Sequence, residues 1–281
     1  MRFISIADLF RLTRFWNLVI IAVAQYLAAA FLLHRHTAVF TDLSLFVLSL
    51  STVLIAAAGY IINDYYDIKI DLINKPDRVV IGKSITRRYA IFFHTFISII
   101  GILLGLWLSW KIAAINFVCV FLLWLYSNQL KRQPFIGNLM VAILTGLSIW
   151  LINWLYREPN TFVIIYSLFA FFMTLIREIV KDMEDMKGDT TFGCRTLPIV
   201  WGIRKTKMLL YGILFVFSVA VTFFNFSYTL VPLMFFIVFL LVPMAWLTLR
   251  LIRADTVKEY HHLSQLCKVI MLLGVISMVF V

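Results

Sequence analysis

The chain has 281 residues, of which 63% are apolar and 14% charged, and its 25 Lys+Arg against 14 Asp+Glu give a formal net charge of +11. Soluble domains run near half apolar and a quarter charged, so a disordered chain, a collagen-like fibre and an ordinary soluble enzyme are excluded, and an all-α polytopic membrane protein remains. The basic excess points either to nucleic acid or to membrane-protein loops enriched in Lys and Arg on one side, and the positions of the charges decide between them.

The first apolar segment, 15–33, follows Arg2, Arg11 and Arg14 and is long for the core of a signal peptide, so it reads as an uncleaved span. The second, 43–62, runs directly into Asn63-Asp64-Tyr65-Tyr66-Asp67-Ile68-Lys69-Ile70-Asp71, followed by Asn74-Lys75-Pro76-Asp77-Arg78. Segments 89–108, 112–126 and 136–156 come next. The sixth, 162–176, runs into Asp182-Met183-Glu184-Asp185-Met186-Lys187-Gly188-Asp189 and then Gly193-Cys194-Arg195. The stretch 190–207 has room for a short lid-like helix before the last three segments, 208–226, 230–249 and 263–281. Segments 112–126 and 162–176 are short for a bilayer and are expected to take a further turn from their flanks. Cys119, Cys194 and Cys267 show no metal-ligand or disulfide spacing.

Nine spans divide the remaining chain between two sides. One side, with the N-terminus, carries 22 of the 25 Lys and Arg; the other carries Arg35, Lys111 and Arg157. This places the N-terminus and the basic loops in the cytoplasm and removes the support for nucleic acid as a partner. Twelve of the 14 acids share that side, Asp42 and Glu158 being the exceptions. The orientation rule gives acids little weight, so their crowding implies a use for carboxylates.

Both acidic stretches spell D-x-x-D-x-K-x-D, with Asp64, Asp67, Lys69 and Asp71 matched by Asp182, Asp185, Lys187 and Asp189 at an offset of 118 residues. The chain therefore reads as one domain over 1–281, made of two related halves, about 1–135 and 136–281. On a helix, positions three and four apart share a face, so each set of Asp residues stacks, with Asn63 beside Asp67. Stacked carboxylates repel, and a divalent cation between them removes the conflict. Mg²⁺ takes one or two carboxylates together with substrate phosphates. Lys75 and Lys181 beside the motifs, and Arg78 and Arg195 after them, supply groups that bind phosphate.

The paired motifs resemble those of the UbiA superfamily of intramembrane prenyltransferases, which carries N-D-x-x-D-x-x-x-D in one cytoplasmic region and D-x-x-D-x-x-x-D in another. The resemblance covers nearly the whole chain. It implies nine transmembrane helices around a cavity open to the cytoplasm, and two Mg²⁺ ions bridged to an isoprenyl diphosphate. Asn63, Asp67 and Asp71 would serve one ion and Asp182 and Asp185 the other, with Asp64 and Asp189 in support. Tyr126 would shield a carbocation. Lys131, with Ser127 and Asn138 at the cavity mouth, would meet the diphosphate, and Arg14 and Asn17 resemble an acceptor-side R-x-x-N. Where many members continue from N-K-P-x-R into a proline-rich stretch, this chain has Val79-Val80-Ile81-Gly82-Lys83, a departure that bears on loop conformation and acceptor choice.

The run Arg177-Glu178-Ile179-Val180-Lys181-Asp182, with the first motif, looks most like the branch that prenylates geranylgeranylglyceryl phosphate to an ether lipid. An aromatic quinone precursor of the hydroxybenzoate or naphthoate type is the second acceptor class. A cation transporter also fits acids in a bundle with repeated halves, although here the acids gather at one membrane face. Asp64 and Glu178 are both candidates for the base that takes the acceptor's proton.

Overall fold

The computed structural model describes residues 6–228 and 230–281, the side chains of Ile6, His36, Thr37 and Arg78 excepted. Among the described residues the chain is helical between short connections and forms no strand. A short helix, α1 (Ile6–Leu12), precedes nine helices long and apolar enough to cross a bilayer. These are α2 (Phe15–Leu32), α3 (Leu43–Asn74), α4 (Arg87–Leu108), α5 (Trp110–Asn128), α6 (Ile136–Tyr156), α7 (Thr161–Thr191), α8 (Leu197–Tyr228), α9 (Leu233–Arg253) and α10 (Val257–Phe280). They match the nine apolar segments in number and order.

The boundaries differ where function gathers. The apolar pattern stops at 62 and 176, yet α3 and α7 continue to Asn74 and Thr191. At 1.5 Å per residue, the 32 residues of α3 span about 48 Å, against a hydrocarbon core of roughly 30 Å. The last turns of both helices therefore stand clear of the apolar slab and carry the acidic motifs on rigid backbone. Their opposite ends are fixed by caps. Asp42 accepts from the Ser44 and Leu45 amides at 2.9 and 3.1 Å, and Asn160 from those of Phe162 and Val163 at 2.8 and 3.3 Å.

The helix α3 packs against α4 and α5, α6 against α7, and α7 against α8 and α10. α3 and α7 are the most buried of the nine and touch one another. Small residues let α3, α4 and α5 approach closely. Asn116 donates to Ser51 Oγ at 2.7 Å and to the Gly101 carbonyl at 3.2 Å, and a Cβ at Gly105 would collide with the Asn116 amide. Asn116, a polar residue within a span, is thus satisfied as a joint between helices. Gly202, at φ 79° and ψ 158°, breaks α8. The break leaves a short helical piece over 197–201 before the span, in the stretch where the sequence had room for one. That piece is packed down through the buried Leu197 and Pro198.

Candidate functional site

The ends of α3 and α7 meet. Asn74 closes the junction: its amide donates to the Asp185 carbonyl at 2.9 Å and accepts from the Gly188 amide at 2.8 Å. A Cβ at Gly188 would lie 2.6 Å from the Asn74 side chain, so only glycine lets the two motifs come this close. Helical spacing then sorts the repeat. The Asp positions turn inward, while Lys69 and Lys187, two residues past Asp67 and Asp185, are exposed on the outer face of their helices.

Most carboxylates of the inner face have a defined partner. Asp67, only 3% exposed, accepts from Asn63 at 2.8 Å and is ion-paired with the Lys131 ammonium. Asp64 pairs with Arg14 at 3.0 Å. Asp182 accepts from the Asn138 amide at 2.9 Å. Asp185 is gripped by Lys75 at 2.7 and 2.9 Å through its two oxygens. Asp189 is buried beside them, and its carbonyl accepts from the Cys194 amide. Glu178 pairs with Arg177 at 2.5 Å and Lys181 at 3.8 Å.

Two of these cations lie outside the spans and are held charged. Burial works against the Arg14 guanidinium, but Asp64, Tyr60, Asp71 and Glu178 outweigh it and raise its pKa. Burial also works against the Lys131 ammonium, and Asp67 with Tyr126 and Asp71 lifts its pKa well above the ordinary lysine value. The field of Arg14 thus reaches the first motif and Glu178 on α7, and that of Lys131 joins Tyr126 to the first motif. Arg14 sits in the left-handed region (φ 52°, ψ 52°) at the joint between α1 and α2, with its guanidinium 4.7 Å over the Tyr60 ring. Asn17 donates to the Tyr60 hydroxyl at 3.3 Å. A non-glycine residue in that region stores roughly 1 kcal/mol or more of strain, here offset by the contacts that aim Arg14 at Asp64.

The donor set fits a hard cation. Asp67, Asp71, Asp182, Asp185 and Asp189 offer carboxylate oxygens and Asn63 an amide oxygen, the ligand type of Mg²⁺. Lys131 and Lys75 already place ammonium groups against Asp67 and Asp185, which shows that these carboxylates receive positive charge. Among the described residues, no three Asp, Glu, His or Cys side chains close into a ready metal cage. That suits an ion that binds one or two carboxylates and completes its shell with water and phosphate.

Other sequence-predicted residues fall at the edge. Ser127 is buried and donates to the Leu123 carbonyl at 2.8 Å, so its hydroxyl is engaged within α5. The Arg195 side chain is exposed, while its backbone amide donates to the Arg132 carbonyl at 2.9 Å and ties the loop after α7 to the loop before α6. The side chain of Arg78 lies outside the described part. Three participants were not among the predicted site residues. Asn74 works through a partner more than a hundred positions away. Glu184, buried, pairs with Lys75 at 3.5 Å and with His261 at 2.9 Å. His261 stands on α10 behind the motif. These three, with Lys75, Asp77 and Lys258, line a cavity of about 510 Å³ beside the motif junction.

The sequence model of the UbiA prenyltransferase family matches residues 18–265. The digeranylgeranylglyceryl phosphate synthase of Methanosphaera stadtmanae is 39% identical over 57% of this chain and 59% of its own length. That of Saccharolobus solfataricus is 36% identical over 80% of this chain and 79% of its own. The match thus spans less than two thirds of the first relative and most of the second. Among solved structures, one from work on digeranylgeranylglyceryl phosphate synthase in membranes superposes with a TM-score of 0.73 at 22% identity, over 97% of this chain and 96% of that one. A UbiA homolog from Archaeoglobus fulgidus bound to DMAPP and Mg²⁺ superposes at 0.56 with 13% identity, over 98% and 100%. At these identities the structures speak to the fold.

Proposed function

The chain belongs to the UbiA prenyltransferase family, and we propose that it transfers a geranylgeranyl group from its diphosphate to the free hydroxyl of geranylgeranylglyceryl phosphate, forming an ether lipid with Mg²⁺ as cofactor. The observation that carries this is the meeting of the two acidic helix ends, with Asp64, Asp67, Asp182 and Asp185 each matched to a cation or an amide, in a chain 36% identical to a digeranylgeranylglyceryl phosphate synthase over most of its length. The Mg²⁺ and DMAPP bound by the Archaeoglobus homolog support the donor class.

Asn63, Asp67 and Asp71 would hold one Mg²⁺, and Asp182, Asp185 and Asp189 a second. When bound, the ions neutralise the charge that gathers on the diphosphate as it leaves. Lys131 and Lys75, at the same carboxylates, present their ammonium groups to the phosphate oxygens as point charges. Asn138 orients Asp182. Tyr126, at the end of α5 next to Lys131, offers a ring face to positive charge at the prenyl carbon. The surrounding apolar helices keep water from that carbon. The acceptor hydroxyl bonds to the prenyl carbon as the carbon–oxygen bond to diphosphate breaks, and its proton passes to Glu178 or Asp64. The lopsided Lys and Arg distribution supports a site on the cytoplasmic face of the cell membrane, with the N-terminus inside.

The test is one assay with purified protein, Mg²⁺ and labelled geranylgeranyl diphosphate. Geranylgeranylglyceryl phosphate and a panel of hydroxyaryl acids are offered separately and the products identified by mass. The doubly prenylated glyceryl phosphate is the expected product; a prenylated aromatic acid in its place would overturn the acceptor assignment.

A further inference from the structure

Glu178 lies one turn before Asp182 on α7, and Asp185 and Asp189 follow on the same face. Four residues of helical rise set it about 6 Å deeper in the bundle than Asp182. At the motifs, carboxylates outnumber the lysines paired with them: Lys131 pairs with Asp67, and Lys75 with both Asp185 and Glu184. Around Glu178 the balance reverses. Arg177 and Lys181 both pair with it, and the charge of Arg14, shared with Asp64, also reaches it. Two cations thus pair with one carboxylate a turn below the metal-binding level. The Nε of Arg177, moreover, is buried and has no partner in the protein. A buried N–H left idle on a charged group, within a surplus of positive charge, is costly in a membrane protein unless an anion completes it.

We infer that Arg177 and Lys181 form the subsite for the phosphate of the lipid acceptor, an inference that rests on the transferase reading above. The chemistry of that acceptor fits the layout. Its free hydroxyl and its phosphate sit on neighbouring carbons of glycerol, so a phosphate held by Arg177 and Lys181 brings the hydroxyl beside Glu178. The same placement points it toward the donor carbon above, at the level of Asp182 and Asp185. A phosphate dianion also absorbs the charge surplus more fully than the single carboxylate of a hydroxyaryl acid.

The experiment measures binding without donor, in nanodiscs, for two probes: geranylgeranylglyceryl phosphate and the dephosphorylated alcohol geranylgeranylglycerol. Wild type should bind the phosphorylated lipid more tightly, by roughly tenfold or more for each charged hydrogen bond. In Lys181→Gln and in Arg177→Gln the Kd of the phosphorylated lipid should rise about tenfold, while that of the alcohol moves little. Arg177→Lys should recover part of the difference. Lys181→Gln is the milder change, since its ammonium is the more distant partner of Glu178, and it keeps the test informative should Arg177→Gln fail to fold. Equal binding of the two probes by wild type, or unchanged discrimination in Lys181→Gln, would overturn the subsite. Wild type that binds the phosphorylated lipid selectively yet prenylates only aromatic acids would instead overturn the proposed reaction and leave the subsite standing.

Discussion

Replacing Asp67 by Asn separates the ion pair that this carboxylate makes with Lys131 from its proposed role as a metal ligand. Asp67 is 3% exposed, accepts from Asn63 at 2.8 Å and is paired with Lys131. Asn keeps its shape and removes its charge, which leaves the Lys131 ammonium facing Asn63 and a neutral amide. Removing one partner of a buried ion pair costs about 3–5 kcal/mol. The Lys131 side chain is a quarter exposed, so water recovers part of this, and about 3 kcal/mol is expected. Lys131→Met on top of Asp67→Asn removes the stranded charge and should restore most of the unfolding midpoint in detergent. Prenyl transfer behaves otherwise. If Asp67 is a ligand of the metal and diphosphate cluster, turnover falls about a hundredfold or more in the single variant and does not return in the double. Mn²⁺ binding, read by electron paramagnetic resonance, should weaken in both. A double variant that regains both stability and turnover would refute this reasoning, because Asp67 would then serve only to neutralise Lys131.

Three further outcomes follow from the same geometry. Gly188→Ala places a Cβ 2.6 Å from Asn74, which forces the ends of α3 and α7 apart; the KM for diphosphate should rise at least about tenfold, the equivalent of one lost buried hydrogen bond, with a small change in unfolding midpoint. Chelation of divalent cations should abolish turnover reversibly while far-UV circular dichroism and unfolding midpoint change little, because Lys75 and Lys131 keep Asp185 and Asp67 matched without the metal. The raised pKa of Lys131 sets a sign: its stabilising contribution is complete below the ordinary lysine value, about 10.4, and is lost only as pH climbs through the higher folded-state value. The difference in midpoint between wild type and Lys131→Met should therefore stay constant from pH 7 to about pH 10; a difference that shrinks within that range would contradict the pairing.

The sequence exposed the parts of the site that are local. Nine apolar runs give nine spans because bilayer burial is a property of contiguous residues. The two acidic octads were visible because helical spacing is written along the chain. What it hid is where those octads meet. The hydrophobic pattern ends at the first charges, whereas backbone hydrogen bonding carries α3 and α7 on for another twelve to fifteen residues. The lysine inside each octad drew attention as part of the repeat, yet Lys69 and Lys187 face outward, and the lysines that reach the carboxylates, Lys75 and Lys131, come from the connections after α3 and α5. Pairings such as Asn74 with Gly188 or Glu184 with His261 join residues 114 and 77 positions apart. Nothing along one strand of sequence marks such partners.

The repeat is therefore an incomplete guide to how the two halves work. Each half supplies its own carboxylates and its own orienting amide, Asn63 for Asp67 and Asn138 for Asp182. Both matching lysines belong to the first half. Lys131 serves the motif of that half, and Lys75 crosses to Asp185 in the second, backed by Glu184 and His261. Arg14, also in the first half, extends its field to Glu178 in the second. The second motif thus carries acid without a lysine of its own at Asp185, and the Lys75–Asp185 pair forms where the ends of α3 and α7 are held together through Asn74 and Gly188. Two helices with nearly the same acidic octad are thus unequal: one half brings the lysines paired with Asp67 and Asp185, and the other brings Arg177 and Lys181 around Glu178, the pair proposed above for the acceptor phosphate.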